Sequence, residues 1–490
     1  LPDLADALLA HGQALRHLGR SVEALIPLAR AHNRAPDRPD ISTALAMTLM
    51  ALGRDAEAVG ILHPIARDLD AELHFANALL RLTRSAEALV AYDRVLASAP
   101  DHAEALDQRA IALLDLDRFD EALDSTDRAL AIQPNLASAL GNRARILMAL
   151  GRQAEAVAWL ESALASRPDD VVLNVNLSSA RLLLGDFDRG LAQYEWRWRL
   201  PGMRPFLPDH GERLWLGEGD LAGQTIILYA DQGLGDTIQF ARYAALVAAK
   251  GASVVLFVQP PLGRLLRYLK GVDRLLIAGD DVPAFDFYCP LLSLPLACGT
   301  RLGSIPAPRR YIEADAALVS AWAARLGPKT RPRVAVFWSS TSTDRLLRKR
   351  AIPLRRFAKL FRHDIEVFVV QKDIAEADRA ILGGYPSVTD LSAHLTDFAE
   401  TAAAIGTMDL IVTVDASVAH LAGAMGKPVW ILLHHDPDWR WLLGRDDSPW
   451  YPSARLFRQC AQGDWDAVLD QVGAALARFA ADAPAGRSAR

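Results

Sequence analysis

TIILYADQGLGDTIQFARYAALVAAKGASVVLFV, residues 225–258, reads as strand, glycine loop, helix and strand. The apolar run Ile226–Tyr229 enters the loop DQGLGD, and an amphipathic helix is predicted over Thr237–Lys250. Gly251 then serves as C-cap and Val254–Val258 as the second strand. Such a unit opens a doubly wound parallel sheet, and the loop lies at the carboxyl end of its first strand, where open α/β sheets bind ligands. Gly233 and Gly235 let the backbone turn sharply and approach a ligand. The loop is neither GxGxxG nor a P-loop, because Asp236-Thr237-Ile238 follows Gly235 where a Lys-Ser/Thr pair would be needed. A carboxylate here would repel a diphosphate. Asp236 therefore suits deprotonation of an acceptor hydroxyl, with plain helix capping as the structural reading and Asp231 as the competing carboxylate.

Working outward toward the C-terminus, Arg333–Trp338 begins a second sheet. From Arg345 to Arg362 there are eight basic residues and no acidic one, a local positive patch. Ser339, Ser340 and Arg350 lie nearest the strand end and are the phosphate-contact candidates, whereas Lys359 and Arg362 read as a solvated face. VFVVQ ends at Gln371, either a partner for a nucleobase edge or an ordinary strand end. DLIVTVDASVAHLAGAMGKPVWILL (409–433) then gives a buried strand Leu410–Val414, a helix over Val418–Met425 and a strand Val429–Leu433. A helix N-terminus with free N–H groups attracts anions. Ser417 adds a hydroxyl there, Asp415 is placed for sugar hydroxyls, and His420 for phosphate or for orienting Asp415. Trp439, Trp441, Trp450 and Tyr451 either wall a sugar or pack a domain seam. His434 and His435 are adjacent on a strand end and point to opposite faces, so no metal site is expected.

The first 200 residues differ in kind. They hold 8 of 31 glycines and 3 of 11 tryptophans and are rich in Ala and Leu, which reads as helix. HLGR, ALGR, RLTR, DLDR, ALGR and LLGD place their third residue at 19, 53, 83, 117, 151 and 185. All steps but one are the 34 residues of a tetratricopeptide helix–turn–helix repeat. Gly12/Ala24, Ala46/Ala58, Ala76/Ala88, Ala110/Ala122, Ala144/Ala156 and Ser178/Gly190 pair small residues 12 apart, as closely crossing antiparallel helices require. Pro36, Pro100, Pro134 and Pro168 end second helices. The second unit lacks that proline and is four residues short, so its following turn should be irregular. The groove of such a solenoid suits a protein or extended peptide, and Asn142 and Asn176 are candidates for its polar contacts.

The whole chain has 490 residues, 51% hydrophobic and 23% charged, with a formal net charge of −5. These values argue against a nucleic-acid binder, and no apolar run is long enough for a membrane span. Cys289, Cys298 and Cys460 lack CxxC spacing, which excludes a disulfide framework and a structural zinc site. The chain starts at Leu1 rather than Met, leaving room for an upstream segment.

The C-terminal part, about 205–475, resembles the heptosyltransferase-like glycosyltransferases of the GT-B fold. DQGLGDTIQFARY (231–243), FDFYCPLLSLP (285–295), VDASVAHLAGAMGKPVWILL (414–433) and DWRW…SPWYP (438–452) carry the resemblance. It is similar, more closely, to the bacterial branch in which that domain follows tetratricopeptide repeats. The repeats give a solenoid over 1–204 and the DAPAGRSAR stretch reads as a disordered tail over 481–490, while the resemblance implies two Rossmann-like halves over 205–312 and 313–480 with a last helix returning toward the first half. It implies Asp236 as catalytic base and Asp415, Ser417 and His420 at the nucleotide-sugar, where the residues themselves also place Gly233, Gly235, Ser339, Ser340, Arg350 and Gln371. Ala416 departs from the usual Thr, and WSSTST from the usual glycine-containing loop. No cofactor or metal is expected, only a co-substrate such as a CMP-nonulosonic acid or a UDP-sugar. The layout is also similar to that of bacterial cytoplasmic protein O-glycosyltransferases, which makes a flagellin-like protein the expected acceptor, bound by the repeats. An inactive nucleotide-binding scaffold and a lipopolysaccharide-core transferase stay open as alternatives.

Overall fold

The computed structural model describes residues 2–66, 68–203, 213–339 and 349–482. Ser340, Arg345 and Arg348 lie outside the described residues, as does all of the expected tail but 481–482. By contacts the chain forms two compact units, Leu1–Asn176 and Leu177–Arg490.

Twelve α-helices, from Pro2–His17 to Phe187–Tyr194, form six helix pairs. The recurring four-residue strings are their turns. Gly19, Gly53, Thr83, Asp117, Gly151 and Gly185 all have φ between +59° and +84°. The next N–H reaches back five residues, as in Arg20 to Leu15 and Arg54 to Leu49, both 2.9 Å. That is a left-handed C-cap ending one helix and starting the next. The arginine of each of the first five turns pairs with a glutamate three residues on, from Arg20–Glu23 to Arg152–Glu155, and at the sixth Asp186 pairs with Arg189.

Every small-residue pair is buried at its helix crossing. A Cβ on Gly12 would overlap Leu28, and one on Gly190 would sit 2.8 Å from Leu182 Cγ. The short second unit has an eight-residue helix, Asp55–Leu62, that runs into a 3-10 turn at His63–Ile65, the irregularity its length required.

The α/β part holds two all-parallel sheets. The first contains β1 (Thr225–Tyr229), β2 (Ser253–Val258), β3 (Arg274–Ile277) and β4 (Phe287–Pro290) in the order β3-β2-β1-β4. The second contains β5 (Arg333–Phe337), β6 (Glu366–Val369), β7 (Val388–Asp390), β8 (Leu410–Val414), β9 (Val429–Leu433) and β10 (Ala454–Arg458) in the order β10-β9-β8-β5-β6-β7. The strand order reverses between β1 and β4 and between β5 and β8, and ligand crevices open at such switch points. The fold is thus a helical solenoid followed by two Rossmann-like lobes.

Three details differ from the sequence reading. The helix after the glycine loop starts at Leu234, not Thr237, and breaks at Phe240 into a 3-10 turn and a short helix, Ala244–Ala248. The division between units falls at 176, because helix Phe187–Tyr194 and the turn Glu195–Arg199 pack into the α/β lobes. The last helix, Trp465–Asp482, packs on Leu354–Leu360 and β10 of its own lobe rather than on the first, with Phe479 against Trp430.

Candidate active site

The ends of β1 and β8 meet. Helix Leu234–Phe240 of the first lobe packs against helix Ser417–Ala424 of the second. A Cβ on Gly235 would lie 2.9 Å from His420 Cδ2 and 3.3 Å from Ser417 Cα, so only glycine permits this approach. At the junction is a cavity of about 540 Å³, lined by Gly233, Gly235, Asp236, Arg350, Asp415, Ser417 and His420, together with Gln232, Asp438 and Arg440. A second cavity of about 290 Å³ adjoins it through Leu234, Phe337 and Ser417 and takes in Ser339 and Gln371. Residues from both lobes, Gln232 and Arg440 being the farthest apart in sequence, thus share one cleft.

Asp236 is the third residue of its helix rather than the cap. Its Oδ2 accepts from the Gly233 N–H at 3.0 Å, and its Oδ1 accepts from Arg440 Nη2 at 2.5 Å. Asp231 is excluded as the base by access. It is buried, paired with Arg197 at 3.4 Å, and accepts from the Leu292 N–H at 3.2 Å. Burial pushes its carboxyl up to about 6 against the pull of Arg197. Arg197, 2% exposed, also binds Glu195 and Ser293 and stacks on Tyr194 and Trp198.

A chain of alternating charges crosses the cleft. Asp415 pairs with Arg350 (3.0 Å), Arg350 with Asp438 (3.6 Å), Asp438 with Arg440 (2.8 Å), and Arg440 with Asp236. Burial raises the Asp415 carboxyl, partly offset by Arg350. Burial also works against the Asp438 charge, but Arg440 and Arg350 outweigh it and hold that carboxyl at about 2. Sequence reasoning missed Asp438 and gave Arg440 no role, since DWRW shows only aromatic spacing.

Helix Ser417–Ala424 has Ala416 at its N-cap and no side-chain cap, so its first turn keeps N–H groups for a ligand. His420 is held neutral, at about 3, by burial and then by Arg440. Its Nδ1 is 2.9 Å from Tyr451 Oη and its ring stacks on Trp441, so it is a neutral wall of the site rather than a cation for phosphate.

Gln371 lines the second cavity, but its amide is engaged. Oε1 accepts from the N–H groups of Trp338 and Ser339, and Nε2 donates to Ser339 Oγ and the Asp373 carbonyl. It anchors the loop after β5 and offers no free edge to a base. Lys359 and Arg362 pair with Asp466 and Asp364, as a solvated face does. Trp439, Trp441, Trp450 and Tyr451 are buried in the seam between the lobes, which settles their role as packing. Among the described residues no three His, Cys, Asp or Glu side chains converge as metal ligands, and no helix is long and apolar enough to cross a membrane.

In the solenoid, Asn142 Nδ2 donates to Asp107 Oδ1 at 2.9 Å and Asn176 Nδ2 to the Gly141 carbonyl at 3.3 Å. Both are half-buried and tie each first helix to the one before it.

A helical solenoid is thus followed by two parallel sheets whose strand ends share one cleft. Residues 73–137 and 108–171 match the tetratricopeptide repeat family, and residues 316–441 match glycosyltransferase family 9 (heptosyltransferase). The chain therefore carries N-terminal tetratricopeptide repeats and a C-terminal glycosyltransferase family 9 domain. It is 27% identical over 314 residues to Protein FlbA of Caulobacter vibrioides, covering 58% of this chain and 50% of that protein. The chain thus spans about half the length of this curated relative. Among solved structures, a family 9 glycosyl transferase of Veillonella parvula aligns over 54% of this chain and 99% of its own, at 12% identity and a TM-score of 0.43. A thermophilic tetratricopeptide protein of Thermus thermophilus aligns over 36% of this chain and 99% of its own, at 26% identity and a TM-score of 0.33.

Proposed function

We propose that this protein transfers a sugar from a nucleotide-sugar to a serine or threonine hydroxyl of a protein acceptor, a flagellin-like surface protein, bound by the repeats in the bacterial cytoplasm. The observation that carries this reading is the convergence of Asp236 with Arg350, Asp415 and Ser417 on one cavity. In the reaction the acceptor O–H proton passes to Asp236, and the acceptor oxygen bonds to the anomeric carbon. The bond from that carbon to phosphate breaks, its electron pair leaving with the phosphate. Negative charge grows on the leaving phosphate, and Arg350 with the N–H groups and hydroxyl at Ser417 stabilises it without a metal. Asp415 accepts hydrogen bonds from sugar hydroxyls, and the second cavity takes the nucleoside.

The test is turnover of CMP-nonulosonic acids and UDP-sugars with co-expressed flagellin, read by intact mass. Wild type should add a sugar mass, and Asp236→Ala should lower the rate by roughly 10²–10⁴-fold while remaining folded. Because helix Phe187–Tyr194 and Arg197 belong to the transferase unit, the repeats are removed by starting the chain at Asp169 rather than at residue 205. Loss of protein glycosylation in that shortened chain supports a protein acceptor. Retained transfer to a lipopolysaccharide core sugar would establish the carbohydrate reading instead. Nucleotide binding without turnover would establish the inactive scaffold.

A further inference from the structure

Arg440 is buried, 6% exposed, at the point where the two lobes touch. Its three hydrogen-bonding arms reach three different residues. Nε donates to Gln239 Oε1 at 2.9 Å, Nη1 to Asp438 Oδ1 at 2.8 Å, and Nη2 to Asp236 Oδ1 at 2.5 Å. Gln239 and Asp236 belong to the first lobe, Asp438 and Arg440 to the second. The guanidinium plane is further fixed by ring faces, with Trp439 at 4.7 Å and Phe240 at 5.3 Å.

Asp438 already neutralises this cation at short range, so the arm toward Asp236 is an additional, directed contact. It engages the one oxygen of Asp236 that the protein's own helix leaves free, since Oδ2 is held by the Gly233 N–H. The two bonds together define the carboxylate plane and leave its remaining lone pairs for a hydroxyl. Arg440 stays protonated throughout and takes no part in proton movement.

The support for Arg440 extends to the last repeat. Trp439 is 5.8 Å from Phe187, 6.4 Å from Tyr194 and 6.0 Å from Trp450, ring centre to ring centre. Tyr194 Oη accepts from Gln232 Nε2 of the glycine loop at 3.2 Å. One aromatic cluster thus packs the final repeat helix against the turn that carries Arg440.

We infer that Arg440 is a positioning residue for Asp236: the second lobe aims the base that the first lobe carries, through the contact of Arg440 Nη2 with Asp236 Oδ1. Asp236 is in line with the acceptor only when the lobes are in register, and the helix Phe187–Tyr194 holds that register through Trp439. This rests on the reading of Asp236 as base. Lysine cannot replace Arg440, because one ammonium on a flexible stem does not present a planar fork to three acceptors.

The test uses the full chain with Arg440→Ala and Arg440→Lys. At saturating donor and acceptor, Arg440→Ala should lower kcat by about 10²-fold, the scale set by misplacing a reacting group by about 1 Å. Donor KM should stay near the wild-type value, added guanidinium should restore part of kcat, and Arg440→Lys should stay well below wild type. A raised donor KM with kcat unchanged would make Arg440 a phosphate ligand and overturn the inference. So would a lowered kcat that guanidinium leaves untouched. A second measurement stands apart from turnover: the thermal midpoints of Asp236→Asn, Arg440→Ala and the double variant. A double variant that loses clearly less than the sum of the two single losses supports the contact, and additive losses refute it. If the wild-type chain turns over no nucleotide-sugar, the proposed function fails, and this cycle still decides whether Arg440 holds Asp236.

Discussion

Acid should unfold the transferase unit earlier than its carboxylates alone would dictate, and His420 is the cause that a single substitution can isolate. The ring is buried between Trp441 and Tyr451 with Arg440, Arg242 and Arg350 near it, so protonation would place a fourth cation among three guanidiniums. Burial first, and those arginines next, hold its pKa at about 3, with Asp438 opposing. In the unfolded chain the same ring titrates at about 6.5. A histidine whose folded pKa is depressed contributes stability above the unfolded value and loses it as pH falls toward the folded one. Between about pH 6.5 and 4.5 the unfolded state binds one proton that the folded state refuses. The loss is about 1.4 kcal/mol per pH unit, or about 2.7 kcal/mol over the window. His434, held at about 3 by burial and then by Arg350 and Lys349, adds a parallel loss. The assay is urea unfolding of the second unit, followed by tryptophan fluorescence at several pH values, for wild type and His420→Asn. The variant gives up the Trp441 stack, so its absolute stability falls, but its slope against pH should be shallower by about 1.4 kcal/mol per unit. Parallel slopes would show that His420 titrates alike in both states and is not the cause of the acid sensitivity.

Three further outcomes follow from the geometry. Gly235→Ala drives a Cβ into His420 and Ser417, and should cost about 1–3 kcal/mol in urea unfolding and cut turnover by separating the loop from the second helix. Arg197→Met leaves Asp231 and Glu195 without their cation and should destabilise the unit by about 3–5 kcal/mol. Because the Asp231 carboxyl sits at about 6, the loss should be largest above that pH and shrink below it, where the carboxyl is protonated; a loss independent of pH would disprove the pairing. Thr83→Gly should stabilise the repeat unit by about 0.5–1 kcal/mol, since a β-branched residue at φ +59° is strained by more than glycine loses in chain entropy; thermal unfolding of the variant measures it.

How much of the site was legible depended on whether its residues announced themselves locally. Gly233, Gly235, Asp236, Asp415 and Ser417 did, because each stands where an apolar strand turns into a helix, and strand ends of a parallel sheet all face one edge. Arg350 was found as the basic residue close to a strand end. Asp438 and Arg440 were not, since their partners other than each other are 88 to 204 positions away and nothing in DPDWRW distinguishes an ion pair from a surface turn. For Gln371 the sequence leaves two roles open, and its engaged amide decides for the strand end, because a strand-end amide looks the same in sequence whether it meets a base or its own loop.

The sequence by itself determined the solenoid, down to the left-handed turn residues and the small pairs at helix crossings, because a repeat depends on contacts within and between neighbouring units and so writes them at a fixed period. It also determined the two strand–loop–helix corners, whose glycines, caps and apolar runs are local. Contacts in space, and not the local pattern, bring these corners face to face, carry Arg440 to Asp236, bury Asp231 under Arg197 and assign the last repeat helix to the α/β unit. Those are contacts between side chains far apart in the chain, where electrostatics and close packing act through space and leave no period for a sequence to show.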